Sequence, residues 1–369
     1  MTTLLNSVLS AKNAAEYENL FNTCSSGFIQ QSVYWADVVS PLSPDTPYFL
    51  ISCDEQGEPL AGLSLYYFKT QSGEILTSVP HAGPLGGIFY KPDIAGELKQ
   101  DIYNSLLTTV FKLAKDLNCI SLTVITNPIE NDAELYKNTA TPNYVFRNFC
   151  QVVELETVID DNGEYNSGRS KYNNDIKRNL EKASENGIYV EWVNDDAEFE
   201  AWYEIHKKRH NELNATPLPK ELLKNIMRVL KPAGKGDLAL VKQKGRIIGG
   251  CIFVWHKKIV DAFIMSSESD YMIYGINHAL TDFAIKYFRS KGMQWFNWQS
   301  CKKNSGVYDF KKRWGSREME YEFLTWTFEG FDKVFETPIE KLAEEYKWHY
   351  LAPFEALKRR EKTGVYLKG

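Results

Sequence analysis

The residues best placed to do chemistry lie at 295–315. Trp295-Phe296-Asn297-Trp298 alternates like a half-buried strand, and Gln299-Ser300-Cys301-Lys302-Lys303-Asn304-Ser305-Gly306 breaks it with turn-forming residues. Val307-Tyr308-Asp309-Phe310 then leads into three adjacent cations, Lys311, Lys312 and Arg313, before Trp314-Gly315. A strand end, a donor-rich turn and a cationic element can together hold an anionic substrate beside a reacting centre. A packing element would need the apolar positions but not the cations.

A second basic element precedes it. The segment 170–186 reads as a helix stopped by Gly187, and its first half carries Lys171, Lys177 and Arg178. Lys171 and Arg178 are two turns apart and share a face, with Asn174 between them. A helix N-terminal half attracts anions through both its dipole and its side chains. Lys177 and Lys182 read as an ordinary solvated face.

The chain has 369 residues, 43% hydrophobic and 25% charged, which implies a soluble globular protein of two domains. Its 43 basic and 48 acidic residues leave a net charge of -5, so no global field recruits nucleic acid or an anionic membrane. No apolar run approaches the roughly 18 to 20 residues of a membrane span, and the N-terminus lacks a secretory signal pattern, so a cytoplasmic location is expected. Six scattered cysteines contain no Cys-x-x-Cys, and no metal site is expected. His206 and His210 have the i, i+4 spacing of metal ligands, but no third ligand accompanies them, and they read as partly exposed.

Strands are expected at 48–52, 60–67 and 74–79, then the glycine-bearing loop 80–87, an amphipathic helix 97–117 and strands 120–125 and 145–156. A polar turn-rich segment, 160–168, marks a boundary. Beyond the basic helix come a strand 188–193, helices 197–213 and 220–230, a meander of strands 237–241, 247–255 and 259–265, loop 266–275, helix 274–291 and the Trp295 strand. The order meander, loop, helix, strand thus occurs twice. A further strand, 316–328, and a helical tail, 338–363, complete the chain.

This order resembles the tandem fold of the FemAB-like acyltransferases within the GNAT superfamily. The likeness is carried by Ser170-Lys171-Tyr172-Asn173-Asn174-Asp175-Ile176-Lys177-Arg178-Asn179, by Gly275-Ile276-Asn277 opening a helix, and by Gly306, Phe310-Lys311 and Trp314-Gly315. Phe28-Ile29-Gln30-Gln31-Ser32 with Trp35 resembles the family's opening segment. The resemblance implies an α/β (α+β) protein of two GNAT-like domains, each a mixed, mostly antiparallel sheet flanked by helices, plus a C-terminal helix. Domain 1 would span 1–155 with 317–369 returning to it, and domain 2 would span 156–316.

It also implies transfer of an acyl group from acyl-CoA to an amine, such as an amino sugar or another cell-envelope or surface-polysaccharide precursor. The donor diphosphate would sit where loop 266–275 enters its helix, at Ser269, Tyr271, Gly275 and Asn277, although Glu268 and Asp270 there would repel it and the usual Arg/Gln-x-x-Gly-x-Gly/Ala spacing is missing. Lys171, Asn174, Arg178, Trp298, Ser300 and Lys311 would hold the acceptor, a small molecule or a lipid- or nucleotide-linked sugar, in a groove between the domains. Such transfer needs a base for the amine and an acid for the leaving thiolate. Glu268 and Asp309 are candidates for the base and Tyr308 for the acid.

Two alternatives stand beside this. One is aminoacyl transfer from charged tRNA to a peptidoglycan-type precursor, disfavoured because segment 188–236 is too short for the coiled-coil arm of such enzymes. The other is a binding or scaffold protein that keeps the fold without the chemistry.

Overall fold

The computed structural model describes residues 4–80, 85–160, 163–354 and 357. The chain divides into two compact units, Met1–Asn148 with Glu320–Gly369 and Phe149–Met319.

Unit 1 begins with β1 (Leu5–Ser10), α1 (Ala15–Phe21) and α2 (Val33–Val39). Ser32 caps α2 by accepting from the Trp35 amide, and Gln31 ties the approach down by donating to the Gly87 carbonyl. There follow β2 (Thr46–Cys53), β3 (Pro59–Lys69), β4 (Glu74–Thr77), β5 (Phe89–Tyr90), α3 (Gly96–Asp116), β6 (Cys119–Ile125) and α4 (Ala133–Thr139). Of the loop expected at 80–87, residues 81–84 lie outside the described residues. α3 buries Ile102, Leu106, Val110 and Ala114 on the sheet, as its periodicity predicts. It crosses over from β4 to β6, which pair in parallel.

β7 (Tyr144–Glu154) carries the chain into unit 2. That unit holds α5 (Ser170–Glu185), β8 (Ile188–Trp192), α6 (Asp196–Glu212), α7 (Lys220–Leu230), β9 (Gly236–Gln243), β10 (Arg246–His256), β11 (Ile259–Ser267), α8 (Ile276–Ser290), β12 (Trp295–Asn297) and α9 (Gly306–Arg313). Its strands run in the order β7-β12-β11-β10-β9-β8. The β9–β10 hairpin turns on Lys244 and Gly245, both left-handed at φ 48° and 79°, the geometry that matches strand twist. α8 buries Ile276, Leu280, Ala284 and Phe288, and it links the parallel strands β11 and β12. Each unit therefore contains an antiparallel meander followed by a helical crossover to a parallel strand.

β13 (Arg317–Thr327) returns the chain to unit 1, where it pairs with β6. Of the helix expected over 338–363, residues 355, 356 and 358–363 lie outside the described residues, and the stretch before them is broken. A 3₁₀ turn (Phe331–Glu336) leads to α10 (Ile339–Glu345), and the chain leaves the helix at Tyr346. The reason is local: the Tyr346 hydroxyl donates to the Gly73 carbonyl and accepts from Thr70, pinning the segment to the β3–β4 turn. Leu342, Tyr346, Leu351 and Leu357 pack with Ile75 and Ile120 on the sheet of unit 1. Among the described residues, no helix is long and apolar enough to cross a membrane.

Candidate active site

Unit 2 opens its own sheet. β11 and β12 pair only through Ile259↔Trp295, Val260↔Phe296 and Asp261↔Asn297. The Asn297 amide donates to the Asp261 carboxylate at 2.7 Å, closing the end of the paired stretch. Beyond it β11 runs on to Ser267 with no strand partner on that side among the described residues, while the other chain turns away at Gln299, left-handed at φ 61°. Two parallel strands that part in this way leave a slot walled by backbone donors and acceptors, and an amide-bearing chain can pair with such a wall.

Lys311 holds the diverging strand end. Its Nζ donates to the carbonyls of Trp298 at 2.8 Å, Gln299 at 3.2 Å and Ser300 at 3.5 Å. The residue is 6% exposed, and burial lowers its pKa below that of a free lysine. This corrects the expectation of an open three-cation element. Lys312 points to solvent, Lys311 is sequestered by carbonyl oxygens, and Arg313 pairs with Asp175 at 3.0 Å. Within this segment Gly306–Arg313 form the helix α9, capped by Ser305, and its helical turn is what separates the three side chains.

Tyr308 is buried, and its hydroxyl donates to Glu318, whose presence raises the phenol pKa above the usual value. The phenol is therefore protonated at neutral pH, as an acid must be. Glu318 itself is held low, first by Lys303 and then by Tyr308. Asp309 is exposed and Ser300 is exposed, whereas Trp298 is buried against Phe296 and Phe310. Gln151 reaches the same region from β7, donating to the Tyr308 carbonyl and accepting from the Cys301 thiol.

At the start of α8, Gly275 is left-handed at φ 76°, and a Cβ there would lie 2.3 Å from the Asn179 carbonyl oxygen of α5. Only glycine allows both the turn and that approach. Asn277 accepts from Ser267. The repulsion expected from Glu268 is corrected: its carboxylate pairs with Lys208 at 3.0 Å and Arg246 at 2.9 Å, and these partners lower its pKa despite the opposing effect of burial. A carboxylate held low is a weak base. Arg209 donates to Ser269, and Arg246 lies over the Tyr271 ring. The loop thus receives from α6 and β10 the cations that its own sequence lacks.

On α5, Lys171 and Asn174 are exposed. Arg178 and Arg313 both pair with Asp175, which draws α5 and α9 together around His278. His278 packs edge-on to Phe310, and its buried Nε2 has no partner among the described residues. Burial lowers its pKa to about 4. His206 corrects another expectation, since it is fully buried. Its Nε2 accepts the Leu218 amide, so Nδ1 carries the proton and donates to Ser266 at 2.9 Å, and the ring is neutral with its pKa lowered by burial to about 4. His210 is tied to the His206 carbonyl rather than to a shared ion. Among the described residues, no three histidine, cysteine or acidic side chains gather as a metal site.

The sequence reading passed over Lys208, Arg209, Arg246, Gln151 and His278. Only Arg246, at the end of the strand beside loop 266–275, left a usable signal, a cation at a hairpin turn; the others come together only through packing.

Residues 170–312 match the family model described as an acetyltransferase (GNAT) domain. The whole chain is similar in structure to FemX, with a TM-score of 0.68 at 13% identity over 90% of this chain and 99% of that one. It is similar to L-PGS from Bacillus licheniformis, with a TM-score of 0.54 at 11% identity over 84% and 90%. It is also similar to a tandem GNAT protein from the clavulanic acid biosynthesis pathway, with a TM-score of 0.51 at 10% identity over 89% and 99%. No curated protein matches in sequence. Residues 170–312 thus match a GNAT acetyltransferase domain, and the chain shares its tandem fold with FemX and the tandem GNAT protein.

Proposed function

We propose that the protein transfers an acyl group from acyl-coenzyme A to an amine on a small acceptor, an amino sugar or related precursor of cell-envelope or surface-polysaccharide synthesis, in the cytoplasm. The observation that carries this reading is the parting of β11 from the chain after β12, with the far end of β11 bonded through Ser267 to Asn277 at the start of α8. The amide-bearing arm of coenzyme A fits such a slot, and its diphosphate would meet the first-turn amides at Ile276 and Asn277 with Lys208 and Arg246 nearby. Ser269 and Tyr271, already held by arginines, would border it.

In this reading the amine attacks the thioester directly. Tyr308, protonated and buried, gives its proton to the leaving thiolate. Asp309 is the better base of the two candidates, because Glu268 is occupied by two cations. Arg178 and Arg313, with Lys171, Asn174 and Ser300 at the surface, would receive the acceptor. Lys311 and Trp298 position the strand end rather than touch a ligand.

Transfer from charged tRNA is the second reading, and the compact segment 188–236 speaks against it: α6 and α7 fill it, with no long arm. The discriminating experiment supplies acyl-CoA and charged tRNA separately with a panel of amino sugars. Consumption of acyl-CoA alone supports the first reading, consumption of charged tRNA alone supports the second, and consumption of neither points to a scaffold.

A further inference from the structure

We propose that unit 1 carries a binding site for a single-chain fatty carboxylate, in the cavity between its sheet and the C-terminal segment. α3 covers one face of that sheet, burying Leu122, Val124 and Leu324. The opposite face carries a transverse row, Tyr66↔Thr77↔Thr123↔Thr325, set by strand register. The segment after β13 folds over this second face and leaves a cavity of about 440 Å³ beneath it. That volume lies in the usual range for a small-molecule pocket.

The chemistry of the wall selects the ligand. Phe146, Phe323, Tyr350 and Phe354 supply aromatic surface. Four polar side chains of the wall are already paired, the Tyr350 hydroxyl being the exception among the described residues. The Thr123 and Thr325 hydroxyls pair with each other at 2.8 Å, His349 pairs with Asp45 at 2.8 Å, and the Tyr346 hydroxyl is held by Thr70 and Gly73. An alkyl chain can therefore lie against the paired groups without stranding them, and a water would find few partners there. The lining contains one lysine, Lys347, and no carboxylate. Lys347 is exposed and has no acidic partner among the described residues. An apolar body with a single anionic head satisfies both features.

The test is a calorimetric titration of the full chain with saturated carboxylates of increasing length, below their micellar concentrations, alongside alcohols of the same length. Each added methylene is expected to tighten binding roughly fourfold until the cavity is full. Lys347→Glu should weaken the carboxylates at least fivefold and leave the alcohols unchanged. Ala343→Trp, at an exposed position on α10 that lines the cavity, should abolish binding of both without shifting thermal unfolding. Affinity independent of chain length, or equal binding by Ala343→Trp, would overturn the proposal. So would binding to anionic phospholipid vesicles without binding to free carboxylates. Binding that develops only after removal of residues 358–369 would make that segment the occupant, and would overturn it too.

Discussion

The Lys311 ammonium lies 2.8 Å from the Trp298 carbonyl oxygen and also reaches the next two carbonyls of the chain. A side chain from α9 thus supplies a donor to the chain where it leaves β12. Lys311→Met keeps the apolar stem and removes the donors. It is expected to cost about 1–3 kcal/mol in urea unfolding, because the buried Trp298 carbonyl is left unpaired. An unchanged midpoint would show that the strand end needs no such support.

Gly275 and the Asn179 carbonyl define the second prediction. Gly275→Ala should destabilise the protein by about 2–3 kcal/mol, through the left-handed φ and the 2.3 Å approach together. Donor affinity should fall in parallel, since α5 and α8 must separate to admit the methyl group. Full stability in that variant would mean the helices part freely there.

Stability should depend on pH through His206 and His278. Burial holds both at about 4, below the usual histidine value. Each must stay neutral in the fold, so its contribution is complete above about pH 6.5 and is lost as pH falls towards 4. The histidine contribution to urea unfolding should be flat between pH 8 and 7 and then decline, by up to about 2 kcal/mol per histidine at pH 5, against an opposing gain from Asp132, whose carboxyl burial raises to about 7. His206→Gln should remove part of that decline while lowering stability at pH 7, where Ser266 and Leu218 lose their partner. An identical decline in the variant would assign the effect elsewhere.

Tyr308→Phe tests the acid. The rate of transfer should fall about 100-fold with little change in acceptor KM. The loss should shrink for donors with better leaving groups. A drop confined to KM would instead make Tyr308 a binding residue.

Much of the architecture was legible because it follows from periodicity. The apolar spacing of α3 and α8 and the Lys244-Gly245 turn each announce their element. α9 does not show as a helix in the sequence because its cations and aromatics mask a short two-turn helix capped by Ser305. The site was less legible. Lys311 reads as one of three equivalent cations, yet only the fold decides that its neighbours face solvent and Asp175 while it turns inward. The same holds for Glu268, whose acidity is offset by Lys208 and Arg246, residues 60 and 22 positions away. Sequence proximity reports the acid but not the cations that answer it.

The central claim, that unit 2 takes a coenzyme A thioester beside β11 and α8, is tested most directly by calorimetric titration of acetyl-CoA. One site per chain is expected, with at least tenfold weaker binding when Lys208 and Arg246 are both changed to Glu. An absence of heat at millimolar ligand, or an unchanged affinity in that double variant, would contradict it.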